Sequence, residues 1–377
     1  MDKNTIIGFV LIAALLIGFS WYTQPSEEDI AKQRMQDSIT ALAKKKAEES
    51  RNAEAQASNQ NAQNNVNADT TAVFYKSLSG KAQNIILKNS KLELTLSTKG
   101  GTVEKAVIKD FKDNKGNKDL TLFDSKDQSL KFMLEGKETN IITSDLYFTP
   151  SNITDSTVTM TAVGSNGRSL VMNYKLGKNY LLHFSLKANG MSGLFSPNYN
   201  KLDIEWTDHC RQQEKGFTFE NRYASLTYHF TDGGTDYISV TSEKVDEQIE
   251  DAIDWVAFKN QFFSAVMIAK DDLGTNSLMT SIPQEKGSGY LKQYGAKVKT
   301  SFDPTGNNST ELEFYYGPND FRLLQKIEKE STFNKDLELH RLVYLGWPLF
   351  RIINRWFTLY VFDWLTGLNI NMAIVLT

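Results

Sequence analysis

The sequence has one cysteine, Cys210, in 377 residues. That excludes an internal disulfide, so a domain carried outside the cytoplasm would have to be held by burial of a large core. It also lacks a basic excess. Its 42 Lys and Arg stand against 45 Asp and Glu, a net charge of -3, which argues against a nucleic-acid partner. The four histidines, His183, His209, His229 and His340, form no HExxH and no paired metal spacing. His183 reads as mid-strand and His340 as membrane-proximal, so structural roles are expected. His209 and Cys210 cannot work as base and nucleophile, because neighbours on a strand point to opposite faces. Gly287-Ser288-Gly289 lacks the third glycine and the βαβ setting of a dinucleotide loop, and neither GxSxG nor a P-loop occurs. Carboxylate pairs such as Glu247 and Glu250 are explained as a solvated face. No enzyme signature remains, and neither a cofactor nor a metal is expected.

What the chain does have begins with Ile6 to Tyr22, IIGFVLIAALLIGFSWY, without a charged residue. As a helix this run measures roughly 26 Å, close to the hydrocarbon thickness of a bilayer, and Trp21 sits where an aromatic belt belongs. The exit GFSWYTQPS places bulky residues where a signal peptidase needs small ones, so the run is read as an uncleaved anchor, with Ile6, Phe9, Leu15 and Phe19 in lipid. Lys3 precedes it and Glu27, Glu28 and Asp29 follow, so the positive-inside rule keeps the N-terminus cytoplasmic and sends the next part of the chain across. Residues 24–71 lose their aromatics and fill with Ala, Gln, Asn, Ser, Lys and Glu, which reads as a flexible linker.

From Ala72 the pattern changes to short alternating stretches, such as Lys91–Thr98, Thr157–Ala162, Leu170–Leu176 and Leu181–Leu186. Val103–Phe111, Leu202–Trp206, Ala224–Phe230, Phe262–Ala269 and Leu312–Tyr316 are further strand candidates. Turns are signalled by Gly100-Gly101 and Asp232-Gly233-Gly234, among others. The spacing predicts a mainly β domain over residues 72–330, built as a large sandwich or paired sandwiches. Its last element, Asn319 to Lys329, is predicted as a helix with an Asn cap and Phe321, Leu324 and Ile327 on one side.

Residues 331–368 are read as a connector and an interfacial helix. In Leu342 to Leu368, LVYLGWPLFRIINRWFTLYVFDWLTGL, a helical projection gathers Arg351, Asn354, Arg355 and Thr358 on one narrow arc. Trp347, Phe350, Trp356, Phe357 and Trp364 belong to the wide apolar surface around it, which suits a helix lying in the headgroup region. Asp363 and the two arginines make deep burial costly. Met372 to Thr377 is an apolar run too short to span a bilayer, so a following helix is expected. Two other classes fit a β-sandwich. One is a glycan-binding protein using Tyr199 and Tyr237 as stacking platforms, and the other is a hydrolase, for which no acid pair or triad is found.

The order of these parts resembles the N-terminal portion of YidC-type bacterial membrane protein insertases that carry a large periplasmic domain. The resemblance is carried by the opening MDKNTIIGFVLIAALLIGFSWY, by TKGGTVEKAVIKDF, by WVAFKNQFFSAVMI from Trp255, by FYYGPND from Phe314 and by YLGWPLFRIINRWF from Tyr344. FYYGPND departs mildly from the more usual YxGPK, with Asn319 after Gly317-Pro318. The resemblance implies a periplasmic β-supersandwich with a helical anchor and an interfacial helix, in the bacterial inner membrane, and it places the start of a second membrane helix in residues 369–377. It further implies handling of nascent membrane proteins, alone or with the Sec translocon. The family's insertion groove and its arginine would fall after Thr377, so no insertion residue is assigned.

Overall fold

A computed structural model of the protein describes residues 73–114, 116, 119–238, 243–344 and 361. The anchor residues Ile6, Phe9, Leu15, Phe19 and Trp21, the linker, and the interfacial residues Trp347, Phe350, Arg351, Arg355, Trp356, Phe357 and Trp364 lie outside the described residues. Among the described residues, no helix is long and apolar enough to cross a membrane.

The described chain is mainly β. It opens with β1 (Asn84–Lys88), β2 (Leu92–Ser97), β3 (Val103–Ile108) and β4 (Leu120–Phe123), then β5 (Gln128–Leu134), β6 (Ile141–Ile142) and β7 (Thr149–Ser151). The meander β8 (Thr157–Val163), β9 (Ser169–Leu176) and β10 (Leu181–Asn189) leads to the long β11 (Lys201–Arg211) and a short helix α1 (Phe217–Tyr223). Next come β12 (Ser225–Phe230), β13 (Thr235–Tyr237), β14 (Val245–Ile249), β15 (Ile253–Lys259) and β16 (Phe263–Ala269). The chain continues through β17 (Ser277–Pro283), β18 (Tyr290–Ser301), β19 (Thr310–Pro318) and the helix α2 (Phe321–Glu330).

Three antiparallel sheets result. One holds β1 to β4 in chain order, one runs β14-β17-β18-β11-β5-β6, and the largest runs β13-β12-β15-β16-β19-β10-β9-β8-β7. Aromatic pairs show which faces meet. Trp206 of β11 stacks on Phe258 of β15 with centroids 4.0 Å apart, and Phe132 of β5 stacks on Phe184 of β10 at 5.2 Å. Phe123 of β4 meets Tyr316 of β19 edge-on at 5.3 Å. The nine-stranded sheet is therefore one layer, and the other two sheets pack against its inner face.

Alternation explains the outer strands. β9 and β10 bury Leu170, Met172, Tyr174, Phe184 and Leu186 and turn Asn173, Lys175 and Lys187 away from the core. β15 and β16 are buried at every position, because the chain after β19 covers their other face. The Gly100-Gly101 turn has a steric cause: Gly101 sits at φ +71°, where a Cβ would come within 2.7 Å of Met172 Sδ. α2 follows the predicted pattern, with Phe321, Leu324 and Ile327 buried. Its cap differs from expectation. Asp320 accepts from Leu323 N at 2.7 Å, while the Asn319 amide donates back to the carbonyls of Asn260 and Gln261. Asn319 is thus used to fasten the β15–β16 turn to the end of β19.

Candidate functional site

The outer face of the nine-stranded sheet, at β12, β15, β16 and β19, carries side chains that a bare sheet would give to solvent. Trp255, Lys259, His229 and Glu313 all point outward there, and α2 with residues 331–344 covers them. Leu337, Leu339 and Leu342 are buried against this face. Above Trp255 the indole Nε1 donates to Leu337 O at 2.7 Å, and Lys259 Nζ donates to Leu342 O at 2.8 Å. Burial lowers the Lys259 ammonium to about 8. Glu328 of α2 accepts from Leu337 N at 2.9 Å and Glu338 N at 3.1 Å, so helix and following segment are also bonded to each other.

Two charged centres lie under this cover. In the first, His229 is 1% exposed and stacks on Trp255, with Asp254 Oδ2 3.4 Å from Nδ1 and Glu338 Oε2 3.5 Å from Nε2. Asp254 reaches this face because a register shift opposite His229 and Phe230 leaves it as the extra residue of a bulge. Lys335 Nζ donates to Asp254 Oδ1 at 2.6 Å and also to the Asp271 carbonyl. Burial alone would raise the Asp254 carboxyl, but His229 and Lys335 outweigh it and hold it below its ordinary value. Glu338 adopts a left-handed backbone at φ +46°, and its carboxylate accepts from Gly234 N and pairs with Arg341 at 2.7 Å. A strained conformation of this kind persists where surrounding contacts over-determine it.

In the second centre, Glu313 of β19 has a fully buried carboxylate. Its Oε1 meets His183 Nδ1, Thr332 N and Thr332 Oγ1, each at 2.9 Å. Burial opposes its ionisation, yet the bonds from His183 and Thr332 keep the carboxyl below its ordinary value. Beside it a polar groove of about 380 Å³ is lined by Asn152, Thr159, Asn173, His183, Glu311 and Glu313, among others. A second hollow of about 470 Å³ lies over His229, Asp254, Lys335 and Glu338. Among the described residues, no group of three or more His, Cys, Asp or Glu is placed to hold a metal ion.

Other residues singled out from sequence fall as follows. Cys210 is a buried free thiol pushed well up by burial, and His209 beside it on β11 faces the other way, toward Tyr290. Tyr199 is not a free platform. It is half-buried, stacks on Phe195 at 4.9 Å, and its hydroxyl accepts from Glu135 N at 2.7 Å. Tyr237 is 57% exposed on the edge strand β13. Sequence reading missed the clamp of Trp255, Lys259, Lys335 and Glu338, whose partners lie about 80 to 100 positions apart. The apolar run Ala265–Ala269 of β16 was its available signal, since such runs mark strands covered on both faces.

Trp255→Phe keeps the ring and removes the indole donor, leaving the Leu337 carbonyl without its bond. The expected loss is about 1–2 kcal/mol, read by denaturant unfolding, with faster proteolysis of residues 331–344 in the native state. An unchanged cleavage rate would mean that this bond does not hold the segment.

A two-layer β-sandwich whose closing segment is sewn onto its own central strands is the class of domain that the fold and this face define. The chain belongs to the YidC periplasmic domain family, whose model matches residues 84–360. It is 48% identical over its full length to a protein of Phocaeicola vulgatus, 42% to one of Bacteroides fragilis and 34% to one of Parabacteroides distasonis, each named membrane protein insertase YidC. It covers 60%, 60% and 61% of those proteins, so it spans well under two thirds of their length. Among solved structures, a galactose mutarotase related enzyme from Lactobacillus acidophilus aligns with 62% of this chain and 97% of its own, at 10% identity and a TM-score of 0.39. A likeness at that level carries no argument about activity.

Proposed function

We propose that the chain acts as part of a membrane protein insertase that assists nascent inner-membrane proteins into lipid, alone or beside the Sec translocon. In this reading Ile6 to Tyr22 anchors it with the N-terminus in the cytoplasm, residues 24–71 are the tether, and the β-domain stands in the periplasm. Leu342 closes a short 3-10 turn buried on the sandwich and Val343 is extended, so the interfacial helix starts past the Leu342 expected from sequence. Residues 345–368 then return the chain to the outer leaflet as that helix, and residues 369–377 begin the next membrane helix. The observation that carries the proposal is family membership together with full-length similarity to proteins named as insertases.

The clamp supports it in physical terms. A helix that perturbs or seats machinery at a bilayer surface is useful only if its position is fixed, and residues 331–344 are fixed to the domain by buried bonds to β15 and by part-buried ones to the β12–β13 turn and β19. In the helix itself, Trp347, Phe350, Trp356, Phe357 and Trp364 supply the lipid-facing surface, while Arg351 and Arg355 meet headgroups. The test is Trp356→Ser with Phe357→Ser in the full-length protein, measuring insertion of a single-span substrate. Insertion is expected to fall several-fold; insertion at the native rate would overturn the role given to this helix.

A further inference from the structure

The strand register sets Ser225, Lys259, Ser264 and Gly317 in one row across β12, β15, β16 and β19. All the connections leaving that row emerge at one end of the sandwich: α1 before β12, the Asn260–Phe262 turn, and Asn319 after β19. Residues 343–344 reach the same end, because Leu342 is bonded to Lys259. This end displays three large exposed aromatics, Phe219 at 55%, Phe262 at 42% and Tyr344 at 57%. Tyr223 bridges two of them, with ring centroids 5.5 Å from Phe219 and 5.5 Å from Tyr344.

α1 presents its aromatic outward by an inverted arrangement. Its buried side chain is the carboxylate of Glu220, which accepts from Gln213 N at 3.0 Å and Glu214 N at 2.9 Å. Adjacent helical positions differ by about 100°, so tying Glu220 inward turns Phe219 to the surface. Burying the acid and exposing the ring costs free energy twice over in water. Lys215 and Arg222 stand exposed at this end, and so do Glu214 and Asp320. The opposite end of the same sheet exposes Asp232, Glu250, Asp251 and Asp271.

We propose that the end of the domain carrying Phe219, Phe262 and Tyr344 docks on the lipid surface. Exposed aromatic rings with charges that balance suit the headgroup layer, while the four exposed carboxylates of the opposite end are repelled by anionic lipid, which selects the end that faces the bilayer. Chain length argues for the same occupant. Tyr344 and Trp347 are three positions apart, a span of at most about 11 Å, so an interfacial Trp347 holds Tyr344 close to the headgroups. This last argument rests on the interfacial reading of residues 345–368; the aromatic row and the charge asymmetry do not.

The test uses the full 377-residue chain, with Cys210→Ala, reconstituted in vesicles of phosphatidylethanolamine and phosphatidylglycerol. Phe219→Cys, Phe262→Cys, Tyr344→Cys, Trp356→Cys and, at the acidic end, Asn307→Cys are labelled singly with an environment-sensitive dye. Spin-labelled lipid is expected to remove roughly half of the emission or more at 219, 262 and 344 and to leave 307 nearly unchanged, with aqueous iodide giving the reverse order. Lipid quenching at 356 without quenching at 219, 262 and 344 would overturn the docking and leave the interfacial helix standing. Absence of lipid quenching at 356 as well would overturn both. Shielding of 219, 262 and 344 in native membranes but not in pure lipid would assign the face to a protein partner and overturn the lipid assignment.

Discussion

Trp206→Ala is expected to destabilise the β-domain by about 3–5 kcal/mol, the range for emptying a fully buried large aromatic site. Trp206 is 0% exposed, stacks on Phe258 across the interface between the six- and nine-stranded sheets, and donates from Nε1 to Gln128 Oε1 at 3.1 Å. Gln128 in turn donates to Val103 O in the four-stranded sheet, at 3.0 Å. One side chain therefore touches the agreement of all three sheets, and truncation leaves a cavity and an unpaired buried amide together. Urea unfolding followed by near-ultraviolet circular dichroism measures the effect. A loss below about 1 kcal/mol would mean that the sheets close up over the gap.

Lys259→Met is expected to remove a pH-dependent gain in stability. The Lys259 ammonium titrates near 8 in the folded domain, against an ordinary 10.5, because burial disfavours its charge. Between those two values the unfolded chain binds the proton and the native chain does not, so stability rises with pH across the window. The full gain is on the order of 3 kcal/mol, and below pH 8 it is absent. Lys292 is also lowered by burial and contributes in the same direction to both proteins, so the difference between native and variant curves isolates Lys259. Parallel curves from pH 7 to 10 would show that the ammonium is solvated in solution. At neutral pH the variant also frees the Leu342 carbonyl, and the segment before Leu345 is expected to exchange its amides faster.

Much of the sandwich was legible in the sequence because its strands are wet on one face. Thr157–Ala162 and Leu170–Leu176 nearly coincide with β8 and β9, and Leu181–Leu186 forms most of β10. Several strands escaped, β1, β4, β5, β17 and β18 among them, although β5 and β18 alternate. Two more escaped for physical reasons. β15 has no alternation because both its faces are dry, and β14 is an edge strand with three exposed polar residues in a row. α1 lacks an apolar stripe, since it buries a glutamate instead. The α2 stripe was read correctly and its cap was placed one residue early, because Asn319 and Asp320 are both good caps and only the tertiary bonds of Asn319 separate them. The clamp around His229 and Glu313 could not be read, because spacing says nothing about which carboxylates a distant segment will lay beside a lone histidine.

The way residues 331–344 are fastened has a mechanical consequence. Tension applied at Tyr344 along the chain direction meets the Leu342–Lys259 bond first, then Glu338 with Gly234, then Leu337 with Trp255, then Lys335 with Asp254 and last Thr332 with Glu313. Each attachment carries the load only after its predecessor yields, so the segment would peel stepwise from its C-terminal end. The sandwich underneath keeps its strand ladders intact until the last of these fastenings is gone.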